Sequence, residues 1–245
     1  MNALIDQVKI EAKMWFRNRE TMFWTLVFPV FFMLLFGAIW KDDSWNNIPT
    51  ISYLLPGIIV MAMMTTCITA TTTGLIEERE KGIFRRLFLT PVKKHTLIGG
   101  HIAIRYCIVL VQTALLIAIG ITLFEANITG NYLLFWSVLT MGAICFLSLG
   151  FALTVFIKNA KSAHPLTMIV FFTLMFLGGC FFPLDIMPEF LVPVCNVLPS
   201  AHLNEALKDV IISGAGINEV WKELLIMGAW LVGCCVLTIK FFRWE

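Results

Sequence analysis

Charge is scarce in this sequence. Asp, Glu, Lys and Arg make up 14% of its 245 residues, against 59% hydrophobic residues, and the interiors of its long apolar runs hold no Asp or Glu. A transporter driven by protons or sodium places titratable groups within its spans, so a secondary-transport mechanism is poorly supplied. The sequence also lacks a G-x-x-x-x-G-K-[ST] phosphate loop, so ATP is not expected to bind this chain by that route. Its four histidines, His95, His101, His164 and His202, show no metal-ligand spacing and read as interfacial or hydrogen-bonded polar residues. No metal and no cofactor are expected on this chain. Neither a Ser/His/Asp set nor a paired-carboxylate set stands out, and Glu77, Glu78 and Glu80 read as a solvated helix face, so an enzyme is not expected. Seven cysteines, an odd number set mostly in apolar runs, behave as small hydrophobes and imply no disulfide framework. A cleavable leader is not expected either, because residues 1–20 are amphipathic and charged and no small-residue cleavage site follows the first apolar run.

What the chain does have is grease. Its mean hydropathy is +0.85, which places it with integral membrane proteins. Crossing a bilayer takes roughly 20 apolar residues, and six stretches qualify, at about 21–40, 53–76, 102–123, 132–157, 164–182 and 222–242. The fold class is therefore an all-α polytopic membrane protein. Residues 1–20 carry Leu4, Ile5, Val8, Ala12 and Trp15 near one face, the pattern of an interfacial amphipathic helix. Pro29 falls inside the first span and should free a carbonyl that a neighbour must satisfy. Pro56 and Pro165 are expected in the opening turns of spans two and five.

Lys and Arg set the orientation. Lys9, Lys13, Arg17, Arg19, Arg79, Lys81, Arg85, Arg86, Lys93, Lys94, Lys158, Lys161, Lys240 and Arg243 fall on one side, against Lys41, Lys208 and Lys222 on the other. Arg105 lies one turn into span three, from which it can snorkel to the richer side. The positive-inside rule then predicts both termini in the cytoplasm. On the outer side, segment 183–219 carries apolar pieces too short to span, punctuated by Pro183, Pro188, Pro193 and Pro199. It reads either as a loose loop or as a re-entrant or interfacial cap, with Ser200 capping a helix to about Ile212 that Ser213-Gly214 stops.

The densest run of charge is the inner loop 77–96. Glu77 and Lys81 stand at the i,i+4 spacing that supports a helix, Gly82 interrupts, and a short second helix can run until Pro91. Ile83, Phe84, Leu87 and Phe88 share one face of it and Arg85 and Arg86 another. Such a helix can lie on lipid or push on a partner. The string Glu78-Arg79-Glu80-Lys81-Gly82, followed by Arg86-Leu87-Phe88-Leu89-Thr90-Pro91-Val92, resembles the loop between spans two and three of the ABC-2 family of ABC exporter membrane subunits. Phe28-Pro29, Leu55-Pro56-Gly57, Phe182-Pro183, Met187-Pro188, Leu198-Pro199 and Ala206-Leu207 are similar, in the same order, to pieces that recur in that family. Lys208 stands where many members carry Arg.

The resemblance implies the ABC-2 (type V exporter) fold: an inner interfacial helix over 1–20, a six-span domain over 21–245, a coupling helix after span two, and short re-entrant helices before span six. It implies a permease subunit, similar to bacterial drug or antibiotic exporters, in the bacterial plasma membrane. That subunit pairs with a second copy or a sister permease and is driven by separate ABC ATPase subunits, which carry the ATP and Mg2+. Glu78, Gly82, Phe84, Arg85, Arg86, Leu87, Thr90 and Pro91 are the implied docking element. On it, Phe84, Leu87 and Phe88 are expected to fill an apolar cleft on the ATPase, with Arg85 and Arg86 meeting an acidic rim or lipid phosphate. In related exporters spans two and five line the dimer axis. Thr65, Thr69, Thr72, Phe172 and Phe176 are thus candidates to border a lipophilic, amphipathic or peptide substrate. The same threonines can instead bond back to their own helix, and the phenylalanines can simply pack. A polysaccharide or glycolipid exporter and a non-transporting membrane scaffold or sensor are the rival readings. No nucleic acid is expected as a partner.

Overall fold

The computed structural model describes residues 3–40, 44–45, 48–87, 94–124, 126, 130–157, 159–181 and 188–241. The N-terminal helix α1 (Ala3–Arg17) ends at Asn18, whose side chain accepts from the Thr21 amide at 3.1 Å and so starts α2 (Arg19–Ile39). An antiparallel pair of two-residue strands, β1 (Ser44–Trp45) and β2 (Ile48–Pro49), leads into α3 (Thr50–Glu80). A short helix α4 (Ile83–Leu87) follows, then the long α5 (Lys94–Phe124), α6 (Tyr132–Phe156) and α7 (Ala160–Leu177). Two short helices, α8 (Val192–Cys195) and α9 (Pro199–Lys208), precede α10 (Ile217–Phe241). Six of these helices, α2, α3, α5, α6, α7 and α10, are long and apolar enough to cross a membrane.

Helix α3 is the axle. It is 94% buried over its most apolar window, against 11% for α10 and 22% for α2. In lipid, helices gain little from hiding apolar surface, so close packing and interhelical hydrogen bonds hold a bundle together. Small residues let α3 approach its neighbours. A Cβ built on Gly57 would lie 1.8 Å from the Cys180 carbonyl oxygen, and one built on Gly150 of α6 would lie 2.3 Å from that of Cys67. Helix α10 packs along α6, and α1 lies along α5.

Pro29 has the effect expected of it. A π-helical turn, Phe23–Val27, precedes it, and the Thr25 carbonyl that its missing N–H leaves free accepts from Gln112 Nε2 of α5. Gln112 Oε1 in turn accepts from the Thr66 hydroxyl at 3.0 Å, so one buried amide ties α2, α3 and α5. Gln112→Ala orphans the Thr25 carbonyl. We expect it to cost about 1–3 kcal/mol, the penalty for an unsatisfied buried polar group, read as a lower thermal midpoint of the purified chain.

Several boundaries differ from the hydropathy reading, because helices run beyond the apolar core into the polar interfaces. Helix α5 begins at Lys94 rather than near 102, and α10 at Ile217 rather than near 222. Pro56 and Pro165 therefore fall inside their helices, not in the first turns. Ser200 does not cap α9. Leu198 takes the N-cap position, with Pro199 as the first helical residue, and the Ser200 hydroxyl donates to the Leu174 carbonyl at 2.8 Å. Asn204 Nδ2 donates to the Gly179 carbonyl at 2.6 Å, and Trp230 Nε1 to that of Val197 at 2.7 Å. These bonds and the burial of most of α9 make the described part of this segment, from residue 188 on, a packed cap rather than a loose loop. Helix α9 continues through a π-turn, Asp209–Ser213, and stops at Gly214, whose φ of 65° suits glycine. Phe182-Pro183 and Met187 lie outside the described residues.

Candidate functional site

The C-terminal end of α3 is where the charged loop meets the bundle. Glu77 and Lys81 pair at 2.9 Å, and Gly82, with φ 65°, turns the chain from α3 into α4. Glu77 and Glu80 are exposed, as a solvated face requires, whereas Glu78 and Arg79 are half-buried against the bundle. Glu78 Oε2 lies 3.2 Å from His101 Nε2 of α5, and Glu11 Oε1 of α1 lies 3.3 Å from the same atom. Arg79 donates through Nη1 to the Thr154 carbonyl at 3.2 Å and through Nη2 to that of Ile157. Those carbonyls belong to the C-terminal end of α6, where cations are favoured. Glu80 Oε1 accepts from the Ala160 amide at 2.7 Å and so caps the start of α7. A single turn of α3 thus reaches α5, α6 and α7 through three consecutive charged residues, and His101 of α5 in turn approaches Glu11 of α1.

Arg105 completes this region. It does not snorkel to the surface; it is 9% exposed, and its Nη2 donates to the Ala70 carbonyl at 3.2 Å. Ala70 ends the π-helical stretch Thr65–Ala70 of α3, and such a stretch leaves carbonyls for side chains to satisfy. His101 and Arg105 stand one turn apart on α5. Their positions in an apolar run were the signal that could have revealed this cluster from sequence, since ionisable groups in a span are rarely idle.

Burial is the main cause that raises the Glu11 carboxyl above its usual value; the nearby Glu78 adds to it, while His101, Arg105 and Gln7 pull the other way. A carboxyl raised in the folded state contributes stability that is complete below its unfolded value and is lost as pH rises towards the folded one. The protection factors of amides in α1, that is, exchange relative to its intrinsic rate at each pH, should therefore fall as pH climbs through the range just above the ordinary carboxylate value. In Glu11→Gln that dependence should flatten.

The structure separates the residues expected to dock. Arg85 and Arg86 are exposed, and Arg86 Nη2 also donates to the Lys81 carbonyl at 2.8 Å, closing the end of α3. Phe84 corrects the sequence reading. It is 1% exposed and packs with Leu75, Leu97 and Phe151, so it anchors α4 to the bundle and offers no knob to a partner. The short helix turns its aromatic face inward because α3, α5 and α6 supply an apolar socket there. Leu87 ends α4, with its side chain outside the described residues, as are Phe88, Thr90 and Pro91.

The proposed path residues are not brought together. Thr65 bonds back to the carbonyls of Met61 and Ala62, at 3.1 and 2.8 Å. Thr72 donates across to the Gly150 carbonyl at 2.9 Å and is fully buried. The Thr69 hydroxyl is buried without a hydrogen-bond partner among the described residues. It and Thr65 line a cleft of about 130 Å³ between α2, α3 and α7. Phe172 and Phe176 lie on the outside of α7, about half exposed, with their rings stacked at 6.3 Å. A larger cleft of about 670 Å³, lined by Glu11, Arg17, Arg19, Glu77, Lys81 and Arg105 among others, opens between α1 and the α3–α4 corner.

Comparison with known proteins gives this arrangement a context. The sequence profile of a family described as ABC-2 family transporter protein matches residues 47–240. The chain is similar to ABC transporter G family member 20 of Dictyostelium discoideum, 28% identical over 171 residues that cover 70% of this chain and 23% of that protein. It is similar to the putative transport permease YvfS of Bacillus subtilis, 23% identical over 222 residues that cover 88% of each. It is also similar to the probable multidrug ABC transporter permease YbhR of Escherichia coli, 21% identical over 177 residues that cover 71% of this chain and 48% of that one. The chain thus spans less than a quarter of the first relative, most of the second and about half of the third.

Proposed function

This chain belongs to the ABC-2 family of transporter proteins as a multi-pass permease subunit, and we propose that it exports a lipophilic or amphipathic compound using force delivered at the α3–α4 corner. The observation that carries the reading is the grip of Glu78, Arg79 and Glu80 on α5, α6 and α7. A partner ABC ATPase supplies the ATP and Mg2+. It docks on the inner side against Arg85, Arg86 and the rim of the neighbouring cleft, with both termini of this chain on that same side. Movement of the corner then reaches four helices at once, because the charge-assisted hydrogen bonds of Arg79 and Glu80, and the close approach of Glu78 and Glu11 to His101, join them. Arg79 levers the end of α6, Glu80 the start of α7, and Glu78 with His101 the start of α5. Glu11 brings α1 into the same movement.

Two copies, or this chain with a sister permease, form the pathway. The exposed Phe172 and Phe176 of α7 and the little-buried faces of α2 and α10 supply apolar surface for a second subunit and for a greasy substrate. The likeness to YbhR, named a probable multidrug ABC transporter permease, supports the same substrate class. The test is reconstitution with the ATPase subunit in vesicles. Lipophilic compounds should stimulate ATP hydrolysis, and Phe172→Ala/Phe176→Ala should change the order in which they do so while leaving basal hydrolysis intact. A double variant with an unaltered order of preference would remove these rings from the pathway.

A further inference from the structure

At the end of the bundle away from the α3–α4 corner, a second polar cluster joins the short helix α9 to the last span. His202 and Glu205 stand i,i+3 on α9 and so share a face. Glu223 stands near the start of α10, which packs against α9. One ligand atom from each of the three lies within 4.8 Å of the others.

The hydrogen bonds of His202 decide what this cluster can hold. The side chain is 8% exposed, and its Nε2 lies 2.8 Å from the Asn196 carbonyl oxygen. A carbonyl only accepts, so Nε2 carries the proton, and in the neutral ring Nδ1 keeps its lone pair. Among the described residues, Nδ1 is buried and has no hydrogen-bond partner; Glu223 Oε2 is in the same condition. Buried polar atoms are nearly always paired, yet two acceptors are left bare in one cluster. An imidazole fixed by a backbone carbonyl through one nitrogen, with the other nitrogen open, is the arrangement that orients metal-binding histidines.

Charge points the same way. Burial first, then the neighbouring carboxylates Glu223 and Glu219, hold the Asp209 carboxyl above its usual range. The neighbouring cation, Lys208, whose ammonium lies 4.0 Å from the centre of the Tyr53 ring, offsets only part of this. The surroundings therefore carry an excess of negative charge. The inner group of Glu11, Glu78 and His101 differs, since Arg105 stands beside it as a fixed cation.

We infer that His202, Glu205 and Glu223 form a binding site for a divalent transition-metal ion of the zinc class, clipping the outer cap helix α9 to the last span α10. One imidazole with two carboxylates suits zinc-class ions, whereas magnesium and calcium favour oxygen-only sets. Because Ser200 and Asn204 already pin α9 to the end of α7, a bound ion would join α7, α9 and α10 into one unit. The inference stands apart from the export reading.

The test uses the full chain in detergent micelles, stripped with a chelator and titrated with Zn2+ by calorimetry, with thermal unfolding followed in parallel. The wild type should bind one equivalent and unfold at a higher temperature when loaded. Glu223→Gln keeps the shape of the side chain and removes its charge. It should weaken binding by more than about tenfold, a loss that even outer-shell partners cause, and abolish the thermal shift; Glu205→Gln serves as a second variant. A wild type that binds no Zn2+, or unchanged affinity in both variants, overturns the inference. So does a loss of binding in Glu78→Gln, which would move the ion to the inner cluster.

Discussion

Phe84→Ala should disconnect ATP hydrolysis from transport. Phe84 is the one aromatic of α4 seated in the socket of Leu75, Leu97 and Phe151, and it is almost wholly enclosed. Removing a buried phenylalanine ring costs about 3–5 kcal/mol, and here most of that cost falls on a helix of five residues. Helix α4 is too short to hold its own shape, so without the ring it should leave the bundle. The partner ATPase could still dock on the exposed arginines and hydrolyse ATP, but the push would move a loose segment. Vesicles carrying the variant should retain basal hydrolysis and lose most export, and amides of α4 should exchange faster. Phe84→Leu refills much of the socket and should recover part of the transport.

Arg79→Met should have the next largest effect, by a different route. The guanidinium bridges two carbonyls at the end of α6, those of Thr154 and Ile157. Hydrogen bonds to a charged group contribute about 1.5–3 kcal/mol each, and these also complement the negative end of a helix dipole. Methionine keeps the apolar stem and loses both bonds. The corner would then still be seated through Phe84 but would no longer pull on α6. The number of molecules exported per ATP should fall several-fold, with little change in membrane insertion. Arg79→Lys should restore only part of it, because an ammonium is a point donor and cannot reproduce the fork. Equal coupling in Arg79→Met and wild type would remove α6 from the transmission route.

Much of the architecture was legible in the sequence, because a bilayer imposes long apolar helices and leaves composition little ambiguity. The six crossing segments, the turn at Gly82, the Glu77–Lys81 pair and the carbonyl freed by Pro29 all follow from local rules. The failures share one cause: the interhelical partner of a polar residue is invisible in one dimension. Glu78 looked like a solvated carboxylate until α5 was set beside it. His101 looked isolated because Glu11 and Glu78 lie far from it along the chain. Ser200 looked like a cap, yet Leu174 offered its hydroxyl a better acceptor. Phe84 is the most consequential case. An amphipathic helix announces that one face will be buried, but not whether the bundle or a partner will bury it.

The central claim is that an ATPase subunit drives this membrane chain by bearing on the α3–α4 corner from the inner side. Photo-cross-linking from position 86, with a benzophenone side chain replacing the exposed Arg86, tests it most directly in membranes that contain both subunits. The account predicts a covalent adduct with the ATP-hydrolysing subunit, in a yield that differs between ATP-bound and nucleotide-free states. Absence of that adduct, together with labelling of Arg86→Cys from outside intact cells by a membrane-impermeant thiol reagent, would contradict it.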